Sequence, residues 1–211
     1  MALRDGGCAL VLLDLDGVLV DSRDAMEEAW QAVQREVGVT TPFAAYFREI
    51  GRPFPDILVR LGLTDDATEI ERVYRATALR EAPRVPAFPG VPDALARLDE
   101  RGVKLGVVTS KAQAQATWTL AQFDVPFATV QTPESGFPGK PAPYPLLVAA
   151  SEARVDVRDT VFVGDMEVDR AAARAAGMRF LHAGWGYGAC PDGARQLRAP
   201  SDLALIGSAR G

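Results

Sequence analysis

Apolar residues follow two different rhythms along this chain. Short unbroken runs at Cys8–Leu13, Val103–Val108, Pro126–Val130, Thr160–Val163 and Met178–His182 have the length and continuity of strands buried on both faces. Between the later runs lie stretches with apolar residues at helical spacing. That alternation predicts an α/β fold with a Rossmann-like, doubly wound parallel sheet. One intervening helix carries Val91, Leu95 and Leu98 on a single face, with Pro92 near its start and Gly102 just past its end. Another closes at Gly177 after the Ala-rich run Ala171–Ala176.

Residues 23–86 break this pattern, because they contain no strand-like run and read as helices throughout. Met26, Trp30, Val33 and Val37 are helically spaced before Gly38, and Phe43, Tyr46, Phe47 and Ile50 before Gly51. Ile57, Leu58 and Leu61 precede Gly62, and Ile70, Val73, Tyr74 and Thr77 mark a last helix. Four short helices with inward apolar stripes make a small bundle, whose aromatics are expected to be core rather than ligand contacts. The expected division is an α/β core of residues 1–22 and 87–211 and a helical cap of residues 23–86. The connections are Leu19–Ser22 and Ala82–Pro89, the second an extended strap stiffened by Pro83, Pro86 and Pro89. Two adjacent straps would let the bundle swing as a lid.

Composition narrows the picture. At 211 residues, 48% hydrophobic, the chain can bury a sizeable core, which excludes disorder as a description of the whole. Acidic residues outnumber basic ones, 28 to 23, and only Lys104, Lys111 and Lys140 are lysines, so no nucleic-acid surface is expected. The run Cys8–Leu13 is too short to span a bilayer and leads into acidic residues rather than a cleavage site; a soluble cytoplasmic protein with no membrane partner is expected. Cys8 and Cys190 are too few for a disulfide scaffold or a metal cluster. The sole histidine, His182, reads as an interior residue at the end of the fifth run.

The candidate chemistry lies where the strands end. The first runs into Asp14-Leu15-Asp16-Gly17-Val18, two acids at the carboxyl edge of a sheet, where α/β folds bind ligands. The second ends in Thr109-Ser110-Lys111; Gly139-Lys140-Pro141 precedes the fourth, which runs into Gly164-Asp165-Met166-Glu167-Val168-Asp169. Each has a plainer role available: a helix cap for Thr109, Ser110 or Asp165, a solvated loop charge for Lys140 or Glu167. The ordered set is more specific than its members.

In that order the chain resembles the haloacid dehalogenase superfamily of phosphohydrolases. The matches are Asp14 to Val18 for the Asp-x-Asp-Gly motif, Thr109 for the strand ending in Thr or Ser, Lys140 in a Gly-Lys-Pro-x-Pro setting, and Gly164 to Asp169 for Gly-Asp-x-x-x-Asp. The helical segment after the first motif resembles the family's small α-helical cap. The resemblance implies Asp14 as nucleophile and Asp16 as general acid and base, with Thr109, Ser110 and Lys140 binding the phosphoryl group. It further implies a Mg²⁺ site from Asp14, Asp165 and the backbone carbonyl of Asp16, with Asp169 or Glu167 in support. The chemistry is coherent: a carboxylate attacking a phosphate monoester needs a positive surrounding, and a hard cation in an oxygen site provides it.

The implied activity is Mg²⁺-dependent hydrolysis of a small phosphate monoester of sugar, aminosugar, cyclitol or phosphoglycolate type through a phosphoaspartate. Dehalogenases lack the second acid, and phosphonate hydrolases use a cap lysine; Asp16 is present and all three lysines lie outside residues 23–86. An alternative is a phosphomutase resembling β-phosphoglucomutase, but such enzymes carry a cap His near Met26 and a cap Lys where Ile50 stands. A non-catalytic binding member is disfavoured by the full set of motif residues. Gly184-Trp185-Gly186-Tyr187-Gly188 resembles phosphoglycolate phosphatase-like members. Residues 51–57 and 88–92 resemble phosphatases associated with aminohydroxybenzoate biosynthesis. Arg52, after Gly51, is the expected specificity residue of the cap.

Overall fold

The computed structural model describes residues 8–133 and 138–207; residues 1–7, 134–137 and 208–211 of the expected core lie outside it. Six parallel strands form one sheet in the order β3-β2-β1-β4-β5-β6. They are β1 (Leu10–Leu13), β2 (Lys104–Val108), β3 (Phe127–Gln131), β4 (Thr160–Gly164), β5 (Arg179–Ala183) and β6 (Arg195–Leu197). The first five match the apolar runs to within two residues at either end. β6 is unanticipated: three residues long with only Leu197 buried, it has no periodicity to read.

Both faces of the central strands are covered, which is why β1 and β4 are buried along their whole length. On one face Val11 and Leu13 of β1 pack with Leu95 and Leu98 of α5 (Val91–Glu100). Leu10 and Leu12 point the other way, to Ala149 of α7 (Tyr144–Glu152) and Ala172 and Ala173 of α8 (Glu167–Ala176). α6 (Gln113–Leu120) follows β2. Successive strands run outward from β1 in opposite directions, through β2 and β4, so a crevice opens at the carboxyl ends of β1 and β4.

Residues 23–84 are helical as expected: α1 (Arg23–Val37), α2 (Phe43–Phe47), α3 (Phe54–Leu61), α4 (Ala67–Glu81) and a 3₁₀ turn at Ala82–Arg84. Their apolar residues form a separate cluster in which Trp30 stacks on Tyr46 with ring centroids 4.5 Å apart. Gly38 and Gly62 end α1 and α3 in the left-handed conformation that glycine adopts without penalty. The two connections are not independent straps. Asp21 N–H donates to Pro86 O (2.9 Å) and Phe88 N–H to Leu19 O (3.0 Å), so they run side by side as a short ribbon.

Candidate active site

β1 and β4 deliver two carboxylates to the crevice. Asp14, 3% exposed, is held by its own N–H donating to Val163 O and by Leu15 N–H donating to its Oδ1 at 2.7 Å. Asp165, fully buried, accepts at Oδ2 from the backbone N–H of Tyr187 at 2.7 Å, while its Oδ1 has no partner among the described residues. Close approach here demands glycine. Gly17 has φ +83°, and a Cβ on it would collide with the Asp165 carboxylate; a Cβ on Gly188 would collide with the Asp165 carbonyl.

Lys140 is 1% exposed and stands between two acids, its Nζ 2.9 Å from Asp14 Oδ2 and 2.7 Å from Asp169 Oδ1. Asp169 uses its other oxygen to accept from Met166 N–H at 3.0 Å, so it caps α8 and orients Lys140 at once. Glu167 is two-thirds exposed and faces Arg170 instead, leaving the supporting position to Asp169.

Oxygens of Asp14, Asp165 and Asp169 lie within 4.8 Å of one another. Burial, reinforced by the neighbouring carboxylates, pushes Asp14 up to about 7 against the pull of Lys140, and drives Asp165 well above the usual carboxylate range. The two acids raise Lys140 despite its burial. A buried acidic group with one orphaned oxygen and only one ammonium is short of positive charge. The donor set therefore fits a hard divalent cation.

Thr109, buried at the end of β2, accepts at Oγ1 from Lys111 N–H (3.1 Å). The Ser110 hydroxyl, expected to bind the phosphoryl group, donates to Gly51 O at 2.7 Å and joins the loop after β2 to the bundle. Asp16 pairs with Lys111, Nζ to Oδ1 3.0 Å, an ion pair that sequence reasoning misses because nothing local links the two. A cavity of about 70 Å³ opens onto Asp14, Asp16 and Thr109 between sheet edge and bundle. Arg52 lies in its wall, 3.5 Å from Glu49 Oε2. Tyr46, Phe54 and Tyr74 also line it, so these bundle aromatics are core and cavity wall together.

A model of the haloacid dehalogenase-like hydrolase family matches residues 11–183, from β1 to the end of β5. The chain belongs to the haloacid dehalogenase-like hydrolase family. It is 35% identical over 205 residues to the phosphoglycolate phosphatase, plasmid, of Cupriavidus necator, covering 91% of this chain and 87% of that protein. With the phosphoglycolate phosphatase of Xanthomonas campestris pv. campestris it shares 34% identity over 185 residues, 84% of this chain and 83% of the other. CbbY from Rhodobacter sphaeroides, solved in complex with phosphate, shares the fold at TM-score 0.80 and 18% identity, covering 94% of this chain and 99% of its own. This hydrolase is accordingly an enzyme of the phosphoric monoester class. No helix among its described residues is long and apolar enough to cross a membrane.

Proposed function

We propose that this hydrolase is a Mg²⁺-dependent phosphatase acting on a small phosphate monoester through a phosphoaspartate at Asp14. The observation that carries the reading is the convergence of Asp14, Lys140, Asp165 and Asp169 beneath a cavity that also receives Asp16 and Thr109. Asp14, Asp165 and the backbone carbonyl of Asp16 would hold Mg²⁺, and the bound ion would keep Asp14 ionised and draw charge from the phosphoryl oxygens.

In the first step an Asp14 carboxylate oxygen attacks phosphorus, the bond to the ester oxygen breaks, and Asp16 gives its proton to the departing alkoxide. In the second, Asp16 takes a proton from water, whose oxygen attacks phosphorus and releases inorganic phosphate and the Asp14 carboxylate. Lys140 and Thr109 donate to phosphoryl oxygens, and Asp169 fixes Lys140. Residues 23–86 act as the cap over a core of residues 1–22 and 87–211, and Arg52 meets the leaving group.

Hydrolysis is preferred to transfer between two sugar hydroxyls because Met26 and Ile50 both line the cavity. Those are the positions at which the resembling mutases carry His and Lys. The test is release of inorganic phosphate from p-nitrophenyl phosphate. Turnover with Mg²⁺ that disappears with EDTA is expected, whereas equal turnover without metal would contradict the metal assignment.

A further inference from the structure

The segment Gly184-Trp185-Gly186-Tyr187-Gly188, which follows β5, alternates glycine with large aromatics. Two of its glycines are dictated by Asp165. A Cβ on Gly186 would collide with the Asp165 side chain and the Gly17 carbonyl, and one on Gly188 with the Asp165 carbonyl. This close approach brings the backbone N–H of Tyr187, which lies between them, to Asp165 Oδ2 at 2.7 Å. A stretch with glycine at every other position keeps much backbone freedom, so a single hydrogen bond does not fix that N–H. The two aromatic side chains supply the missing restraint.

Trp185 donates through Nε1 to Val18 O at 3.0 Å and fastens the segment to the turn after β1. Tyr187 fastens it to the base of the bundle. Its hydroxyl accepts from Ser22 N–H at 2.7 Å and donates to Asp21 Oδ1 at 2.9 Å. The same Asp21 oxygen accepts from the N–H of Arg23, the first residue of α1, at 3.4 Å. The Tyr187 ring packs on Phe47 of α2, centroids 5.1 Å apart, and lies 6.4 Å from Phe88 on the other half of the ribbon. Phe47 in turn carries the Arg23 guanidinium 4.5 Å from its ring centroid. One side chain thus rests on both halves of the ribbon and on the bundle, while its own backbone holds the acid.

We propose that Tyr187 is a positioning residue for Asp165. Its hydroxyl, anchored on Asp21 and Ser22, keeps the Tyr187 N–H against Asp165 Oδ2 and so holds the carboxylate in place for the cation, which makes the base of the bundle part of the support of the cation site. This rests on the cation site assigned above and adds a residue to it.

Mg²⁺ affinity is measured by calorimetry in the absence of substrate, and turnover of p-nitrophenyl phosphate by the wild type separately reports on the phosphatase reading. Tyr187→Phe keeps the ring and the backbone N–H and removes only the hydroxyl. It should weaken Mg²⁺ binding by about 3- to 10-fold, the worth of one hydrogen bond. Asp21→Ala leaves the contact with Ser22 and should weaken it by about 3- to 5-fold. Adding Asp21→Ala to Tyr187→Phe should cost less than about 2-fold more, because both break one path. Asp21→Asn retains the acceptor and should bind Mg²⁺ within about 2-fold of the wild type, which separates the hydrogen bond from the loss of a charge. Asp21 is exposed, so its two variants keep the test open if Tyr187→Phe does not fold. Wild-type affinity in Tyr187→Phe or in Asp21→Ala, equal losses in Asp21→Ala and Asp21→Asn, losses that multiply in the double variant, or a wild type that binds no Mg²⁺ would overturn the proposal.

Discussion

Ser110 donates its hydroxyl to the carbonyl oxygen of Gly51 at 2.7 Å, which ties the loop after β2 to the bundle one residue before Arg52. We propose that the serine steadies the junction of loop and bundle rather than offering its proton to phosphate. Ser110→Ala should therefore raise KM by about 2- to 10-fold, the worth of one hydrogen bond, and leave kcat within 2-fold. Steady-state kinetics with p-nitrophenyl phosphate checks it; a parallel fall in kcat would assign Ser110 to the phosphoryl group in the transition state.

Lys140 pairs with both Asp14 and Asp169 in a buried cluster. Lys140→Met should abolish turnover and destabilise the metal-free protein by about 3–5 kcal/mol, because buried carboxylates lose their counter-charge. Urea denaturation measures the loss. Unchanged stability would mean that the acids are compensated elsewhere.

Mg²⁺ binding should strengthen with pH. In the metal-free fold Asp14 is pushed up to about 7 from an ordinary value of 3.8, and Asp165 moves in the same direction. Between those limits the folded state holds more protons than the unfolded, so the stability these groups contribute is full below about pH 4 and lost as pH rises through about 7. The ion must displace the protons it finds, so the gain in Tm from saturating Mg²⁺ should be larger at pH 8 than at pH 5.5. Equal gains at both would contradict the buried acidic site.

What the sequence makes legible follows from range. Leu10–Leu13 and Thr160–Gly164 read as strands because burial on both faces leaves no polar interruption. Asp14, Thr109, Lys140 and Asp165 read as a set because their order along the chain matches the motifs of the haloacid dehalogenase family. Contacts set by tertiary docking leave no such trace. Tyr187 holds Asp165 through its backbone N–H, while its hydroxyl accepts from Ser22 N–H and donates to Asp21. Those partners lie more than 160 residues away in sequence. The hydrogen bond from Tyr46 to Tyr74 likewise joins two helices whose stripes each read simply as apolar, and the ion pair of Lys111 with Asp16 spans two strand ends. The motif residues are legible; the groups that steady and complement them are not.

Asp16 should matter differently to different leaving groups. An alkoxide needs a proton to depart, whereas p-nitrophenolate does not, so Asp16→Ala should nearly abolish turnover of an alkyl phosphate at both steps. With p-nitrophenyl phosphate the same variant should give a stoichiometric burst of p-nitrophenolate followed by slow release of phosphate. Wild-type steady-state rates on both esters would remove Asp16 from the chemistry.

That burst also provides the most direct test of the phosphoaspartate at Asp14. Asp16→Ala protein mixed with Mg²⁺ and p-nitrophenyl phosphate, quenched in acid during the slow phase and mapped by mass spectrometry, should carry one hydroxylamine-labile phosphoryl group on the Asp14 peptide. A burst with no bound phosphate, or phosphate on another residue, would contradict it.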